Sequence, residues 1–148
     1  MPDSDQSLIF RDAGGLRDRA LLRRFAATLR RRVTGGRSFC CLLTGDEELR
    51  QLNREFLGND CSTDVLSFPS GRGDGFLGDL AISTDRARLQ ARHFGHTLRA
   101  EISILMLHGV LHLMGMDHET DSGRMQGIEV EWRKRLRLPA GLIERVAS

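Results

Sequence analysis

His108-Gly109-Val110-Leu111-His112-Leu113-Met114-Gly115-Met116-Asp117-His118 overlaps the end of the most apolar stretch of the chain, the 13 residues from Ile102 to Met114. The pattern predicts a helix from about Leu98 to Met114, stopped by Gly115. A membrane span needs about 20 apolar residues, so this run reads as a buried helix. Five histidines in 148 residues put about 0.4 into a window of 11 by chance, and this window holds three. His108 and His112 are four apart, so they project from one helix face on consecutive turns. On a continuing helix His118 would lie about 9 Å beyond His112 and rotated away. Gly115 relieves that, because glycine after a helix end takes the left-handed conformation and turns the chain.

Three imidazoles so placed can grip one metal ion and leave a fourth tetrahedral position for water, the pattern of catalytic zinc. All-imidazole sites suit zinc, copper, iron or nickel. Zinc is expected here, one per chain, because hydrolysis needs no redox change. The residue after His108 is Gly109, so the glutamate of H-E-x-x-H metalloproteases is missing from its place. Asp117 is the nearest candidate for a catalytic carboxylate, or else it orients His118. Glu101, two turns before His108, is a candidate partner for a ligand histidine. His93 and His96 lack the spacing and are expected at the surface.

Outward from this segment, Ser7–Phe10 reads as a short strand. Leu21, Leu22, Phe25, Leu29 and Val33 recur at helical spacing over about 16–32, and Gly35-Gly36 ends that helix. Ser38–Leu43 has strand length, and Thr44-Gly45-Asp46-Glu47 has the form of a capping box. The helix it opens carries Leu49, Leu52 and Phe56 and ends near Gly58. Val65–Phe68 and Phe76–Ser83 are strands joined too tightly to be parallel. Thr84 or Asp85 caps a helix ending at Gly95. A last helix starts near Thr120 or Asp121, carries Met125, Ile128, Trp132 and Leu136, and stops at Pro139. The order β-α-β-α-β-β-α-α-α makes residues 1–148 a single α+β domain, with a small mixed sheet of about four strands and about five helices.

Composition agrees. Hydrophobic residues are 40% and charged residues 28%, as in soluble globular proteins. The acidic start Met1-Pro2-Asp3-Ser4-Asp5 has no apolar core of a secretory signal, so a cytoplasmic protein with no membrane partner is expected. Three cysteines, two of them adjacent, form no disulfide framework, and reduced thiols are expected. Net charge is +2, yet the cations are 21 arginines and one lysine. Arginine favours planar contacts to phosphate and carboxylate, although a solvated face is the default role.

The segment His108–His118 resembles the signature H-G-x-L-H-L-x-G-x-D-H of the YbeY family of rRNA maturation ribonucleases. Leu52-Asn53-Arg54-Glu55-Phe56 followed by Thr63-Asp64-Val65-Leu66-Ser67-Phe68-Pro69 resembles another segment of that family, and Leu77-Gly78-Asp79-Leu80-Ala81-Ile82-Ser83 a third. The resemblance spans essentially the whole chain. It implies a zincin-like fold with His108, His112 and His118 as zinc ligands. It also implies a zinc-dependent, single-strand-specific endoribonuclease, acting in 3′-end maturation of small-subunit (16S) rRNA and in ribosome quality control. The partners implied are ribosomal RNA, the small ribosomal subunit and ribosome-assembly proteins. Thr63, Asp64 and Asp79 would lie near the cleft. The chain departs from the family at Met116, often tyrosine, at Ser62, usually proline, and at Leu57, where many members carry an arginine. Arg54, one turn earlier, is the candidate substitute for contact with substrate. Two rival readings stand beside this one: a zinc peptidase or amidase, and a noncatalytic ribosome-assembly factor with a structural zinc.

Overall fold

The structure, a computed structural model, describes residues 7–11, 16–116 and 123–139. Along the chain these form β1 (Leu8–Phe10), α1 (Arg19–Thr28), β2 (Ser38–Thr44), α2 (Asp46–Leu57), β3 (Val65–Pro69), β4 (Phe76–Ser83), α3 (Thr84–Phe94), α4 (Leu98–Leu113) and α5 (Arg124–Arg135). The element order matches the sequence reading. The four strands lie in the order β1-β2-β4-β3. β1, β2 and β4 run parallel, and β3 pairs antiparallel with β4 across the tight glycine-rich turn, so the sheet is mixed.

Alternation along the strands separates two apolar layers. Phe39, Cys41 and Leu43 of β2, with Leu80 and Ile82 of β4, enter the main core beside Leu22 of α1, Leu107 of α4 and Met125 of α5. Ala81 and Leu66 point the other way and meet Leu49 and Leu52 of α2, with Leu42 and Phe68 packed against them. Cys40 and Cys41 therefore face opposite layers, and the three cysteines are free thiols. α4 is apolar all round and buried along nearly its whole length. Such a helix needs neighbours on every side. It packs on β3 and β4, and α1, α3 and α5 close over it. Among the described residues no helix is long and apolar enough to cross a membrane.

Several helix ends differ from expectation. The capping box at Thr44 does not form. Thr44 ends β2 and its hydroxyl donates to Glu48 at 2.7 Å, while the Asp46 amide donates to the Asp85 carboxylate at 2.8 Å. A side chain from another helix thus takes the role that the local motif would fill. α3 is capped by Ser83, which accepts from the Arg86 amide, one residue before Thr84. The first helix starts later, at Arg19, and its last five residues, Leu29–Val33, are wound as a π-helix. In the last helix α5 begins at Arg124 after Gly123; Thr120 and Asp121 lie outside the described residues.

Candidate metal centre

α4 carries His108 and His112 towards its C-terminal end. The helix stops as the sequence requires. Gly115 has φ +94°, its amide donates to His112 at 2.9 Å, and the Met116 amide donates to Leu111 at 3.2 Å. Those two bonds form a Schellman motif, in which a left-handed residue satisfies the last carbonyls and reverses the chain. The turn that could bring residue 118 back towards the helix is therefore built. His118 itself, with Asp117, lies outside the described residues.

The two imidazoles meet. Their Nε2 atoms are 3.1 Å apart, and the ring centroids 4.7 Å. Two ligand nitrogens at 2.0–2.1 Å from a tetrahedral ion are separated by about 3.3 Å, close to the observed spacing, which is also that of a hydrogen bond between the two rings. The other nitrogen of His108, Nδ1, lies 2.8 Å from Glu129 Oε2 on α5. Glu129 is 1% exposed and His108 6%. With the Nδ1 proton donated to that carboxylate, Nε2 is the nitrogen free to hold a metal. The residues present thus fit an imidazole-held cation. Among the described residues no group of three or more histidines, cysteines or carboxylates that could hold a metal gathers, and His118 lies outside them.

Glu129 is the partner of His108 that the sequence reading missed. A signal existed: Glu129 lies inside the apolar stripe of Met125, Ile128 and Trp132, where a carboxylate is buried and needs a partner. Glu101 has another histidine as its neighbour. It is fully buried and bonds His96 Nε2 at 2.6 Å. His96 is in turn not a surface residue, since its side chain is only 12% exposed; His93 is exposed, as expected. The glycine after His108 also has a cause. A Cβ on Gly109 would stand 2.7 Å from Leu80 Cδ2, so a side chain at that position requires the Leu80 side chain to shift.

The remaining candidates lie elsewhere. Arg54 is exposed on α2, which packs on the face of the sheet opposite the main core. Asp79 points to the α2 side with Cys40, Phe56 and Phe68, around a cavity of about 360 Å³. Partial burial pushes the Asp79 carboxyl up, against the pull of Arg72, and burial and then Asp79 push the Cys40 thiol up. Asp64 and Thr63 make structural bonds where β3 begins: Asp64 accepts from the Val65 amide at 2.8 Å and from Gln90 at 3.2 Å, and the Thr63 hydroxyl is 3.4 Å from it. A second cavity, of about 330 Å³, opens where α4 ends, lined by Leu113, Arg37, Ser70 and the glycines of the β3–β4 turn.

Comparisons with known proteins converge on one family. Residues 19–137 match the family model described as Endoribonuclease YbeY. A protein of Solibacter usitatus with that name is 61% identical over 142 residues, covering 96% of this chain and 95% of the relative. One of Koribacter versatilis with the same name is 55% identical over 107 residues, covering 72% and 70%. The solution structure of TM1509 from Thermotoga maritima is 27% identical with a TM-score of 0.56, covering 86% of this chain and 93% of that one.

Proposed function

Since the chain belongs to the endoribonuclease YbeY family, we propose that it is a metal-dependent hydrolase that cleaves single-stranded ribosomal RNA. The reading takes residues 1–148 as one zincin-like, cytoplasmic hydrolase domain that holds one zinc through His108, His112 and His118. Its place is 3′-end maturation of small-subunit rRNA and ribosome quality control, on the small subunit. The observation that supports it best is the chain of contacts from Glu129 to His108 and from His108 to His112, at 2.8 Å and 3.1 Å.

The chain's own residues divide the work. Glu129 holds the Nδ1 proton of His108 and fixes the ring, and α4 sets His112 one turn on. When bound, zinc supplies Lewis acidity at the phosphoryl oxygen and a water acidified to about pKa 7. Asp117, next to His118, would orient that ligand or take a proton. Arg37 lines the groove at the end of α4 and offers a guanidinium to the phosphate. Gly109 stands where an H-E-x-x-H peptidase carries its glutamate, which weighs against the peptidase reading.

Glu129→Gln is expected to weaken metal binding about 10- to 100-fold, because the amide cannot act as the Nδ1 proton acceptor in the same charged state. Competition with a chromophoric chelator measures it. The functional test uses labelled single-stranded and duplex RNA with the 3′-end sequence of the small-subunit rRNA. Cleavage of the single strand, lost on chelation and restored by zinc, is expected. No cleavage with any divalent ion would overturn the reading.

A further inference from the structure

We propose that α5 and the arginine-rich segment through α1 and its π-helical end form a ridge that holds the backbone of single-stranded RNA beside the histidine pair, with Arg32 and Arg135, set over Trp132, as paired phosphate contacts. The inference rests on the RNA-cleaving reading above and says where the strand lies.

Charge is segregated along the chain. Residues 17–37 contain eight arginines and one acid, Asp18. Residues 124–137 add five cations, and of their two acids Glu129 is turned inward to His108. Residues 46–60, on the other side of the sheet, carry five acids against two arginines. A polyanion is therefore drawn to the helical face that includes α4 and repelled from the α2 face.

Geometry joins the ridge to the site. Arg32 lies with its guanidinium carbon 5.9 Å from the Trp132 ring centroid, and Arg135 at 5.4 Å. The two arginines come from different elements, so the indole ties the π-helical segment to α5. Trp132 follows Glu129 by three residues, on the same face of α5 and one turn along. The carboxylate that holds His108 and the indole that collects the arginines are thus neighbours on one helix. An arginine held over an aromatic ring by cation–π attraction keeps N–H groups free for phosphate while losing less freedom on binding. Arg32 and Arg135 are both exposed. The bond from Arg135 to Glu131, 3.1 Å, is an exposed pair within one helix, of the kind that exchanges readily for a phosphate.

The test is equilibrium binding of the intact, metal-loaded protein to a fluorescent single-stranded 2′-O-methyl RNA, read by anisotropy over a range of salt. Arg31→Ala/Arg32→Ala/Arg135→Ala is expected to weaken binding at least tenfold and to flatten the log–log salt slope by about 2, at about 0.7 per lost phosphate contact. Trp132→Leu, which changes no charge, is expected to weaken it about fivefold. Arg32→Lys/Arg135→Lys keeps the charge and leaves Trp132 in place but loses the planar guanidinium donors, and should move the same way if Trp132→Leu fails to fold. Arg50→Ala/Arg92→Ala, which removes two charges elsewhere, should change affinity less than twofold. Wild-type affinity in the triple variant, or equal loss in the Arg50/Arg92 control, would overturn the ridge, as would tighter binding to polyglutamate than to RNA. Ridge-dependent binding without any cleavage would support the ridge and remove the nuclease reading; cleavage that persists while binding ignores the ridge would do the reverse.

Discussion

His108→Ala and His112→Ala are each expected to empty the protein of metal and to abolish RNA cleavage while the fold survives. The two Nε2 atoms sit 3.1 Å apart on consecutive turns of α4, so removing either ring leaves at most two of three nitrogens for the ion. A catalytic zinc site with three protein ligands cannot lose one and keep its open tetrahedral geometry. His108→Ala has a second effect: it removes the imidazole that the Glu129 carboxylate, 1% exposed, bonds at 2.8 Å. A buried carboxylate without its partner costs about 3–5 kcal/mol. His112 is more exposed than His108, so its variant disturbs the packing less and reports the metal effect more directly. Elemental analysis and a single-strand cleavage assay on both variants, beside thermal melting, separate the two. Full activity in a metal-free variant would end the metal mechanism.

Gly78→Ala is expected to be the most damaging single substitution for stability outside the metal centre. Gly78 has φ +144°, a region that side chains rarely adopt, and an added Cβ would fall 2.3 Å from the Phe68 carbonyl oxygen and 2.9 Å from Pro69 Cα. Those atoms are backbone of the paired strand and cannot swing aside. Strain at such a residue costs about 1–3 kcal/mol, and the forced separation of β3 from β4 adds a similar amount. A loss of about 3–5 kcal/mol lowers the melting temperature by roughly 10 °C or more in a domain of this size. The hairpin also forms one wall of the groove at the end of α4, so activity should fall with stability. Melting within about 2 °C of wild type would show that the hairpin tolerates the side chain.

The legible parts of this fold were those set by periodicity and by glycine. The buried helix could be read because its apolar run is too continuous for a surface helix and too short for a membrane. The turn after it could be read because Gly115 relieves a geometric conflict between His112 and His118. The antiparallel β3–β4 pair followed from connection length alone. What the sequence concealed was contact between distant elements. Thr44 and Glu47 have the form of a capping box, but Asp85, 39 residues away, reaches the Asp46 amide first. Glu101 stands at the correct spacing to serve His108, yet His96 takes it, and Glu129 arrives from 21 residues downstream. Spacing along one helix shows which groups can meet; it does not show what a neighbouring helix brings. The arginine surplus was legible as composition, but its division between the two sides of the sheet was not.

The central claim is that His108, His112 and His118 hold one cation and leave a position open. X-ray absorption at the zinc edge of the purified, zinc-loaded protein tests it most directly. The account predicts one zinc per chain with three imidazole nitrogens at about 2.0–2.1 Å and one oxygen from water. A shell of sulfur ligands, a sphere closed by four side chains, or a spectrum unchanged by His118→Ala would contradict it.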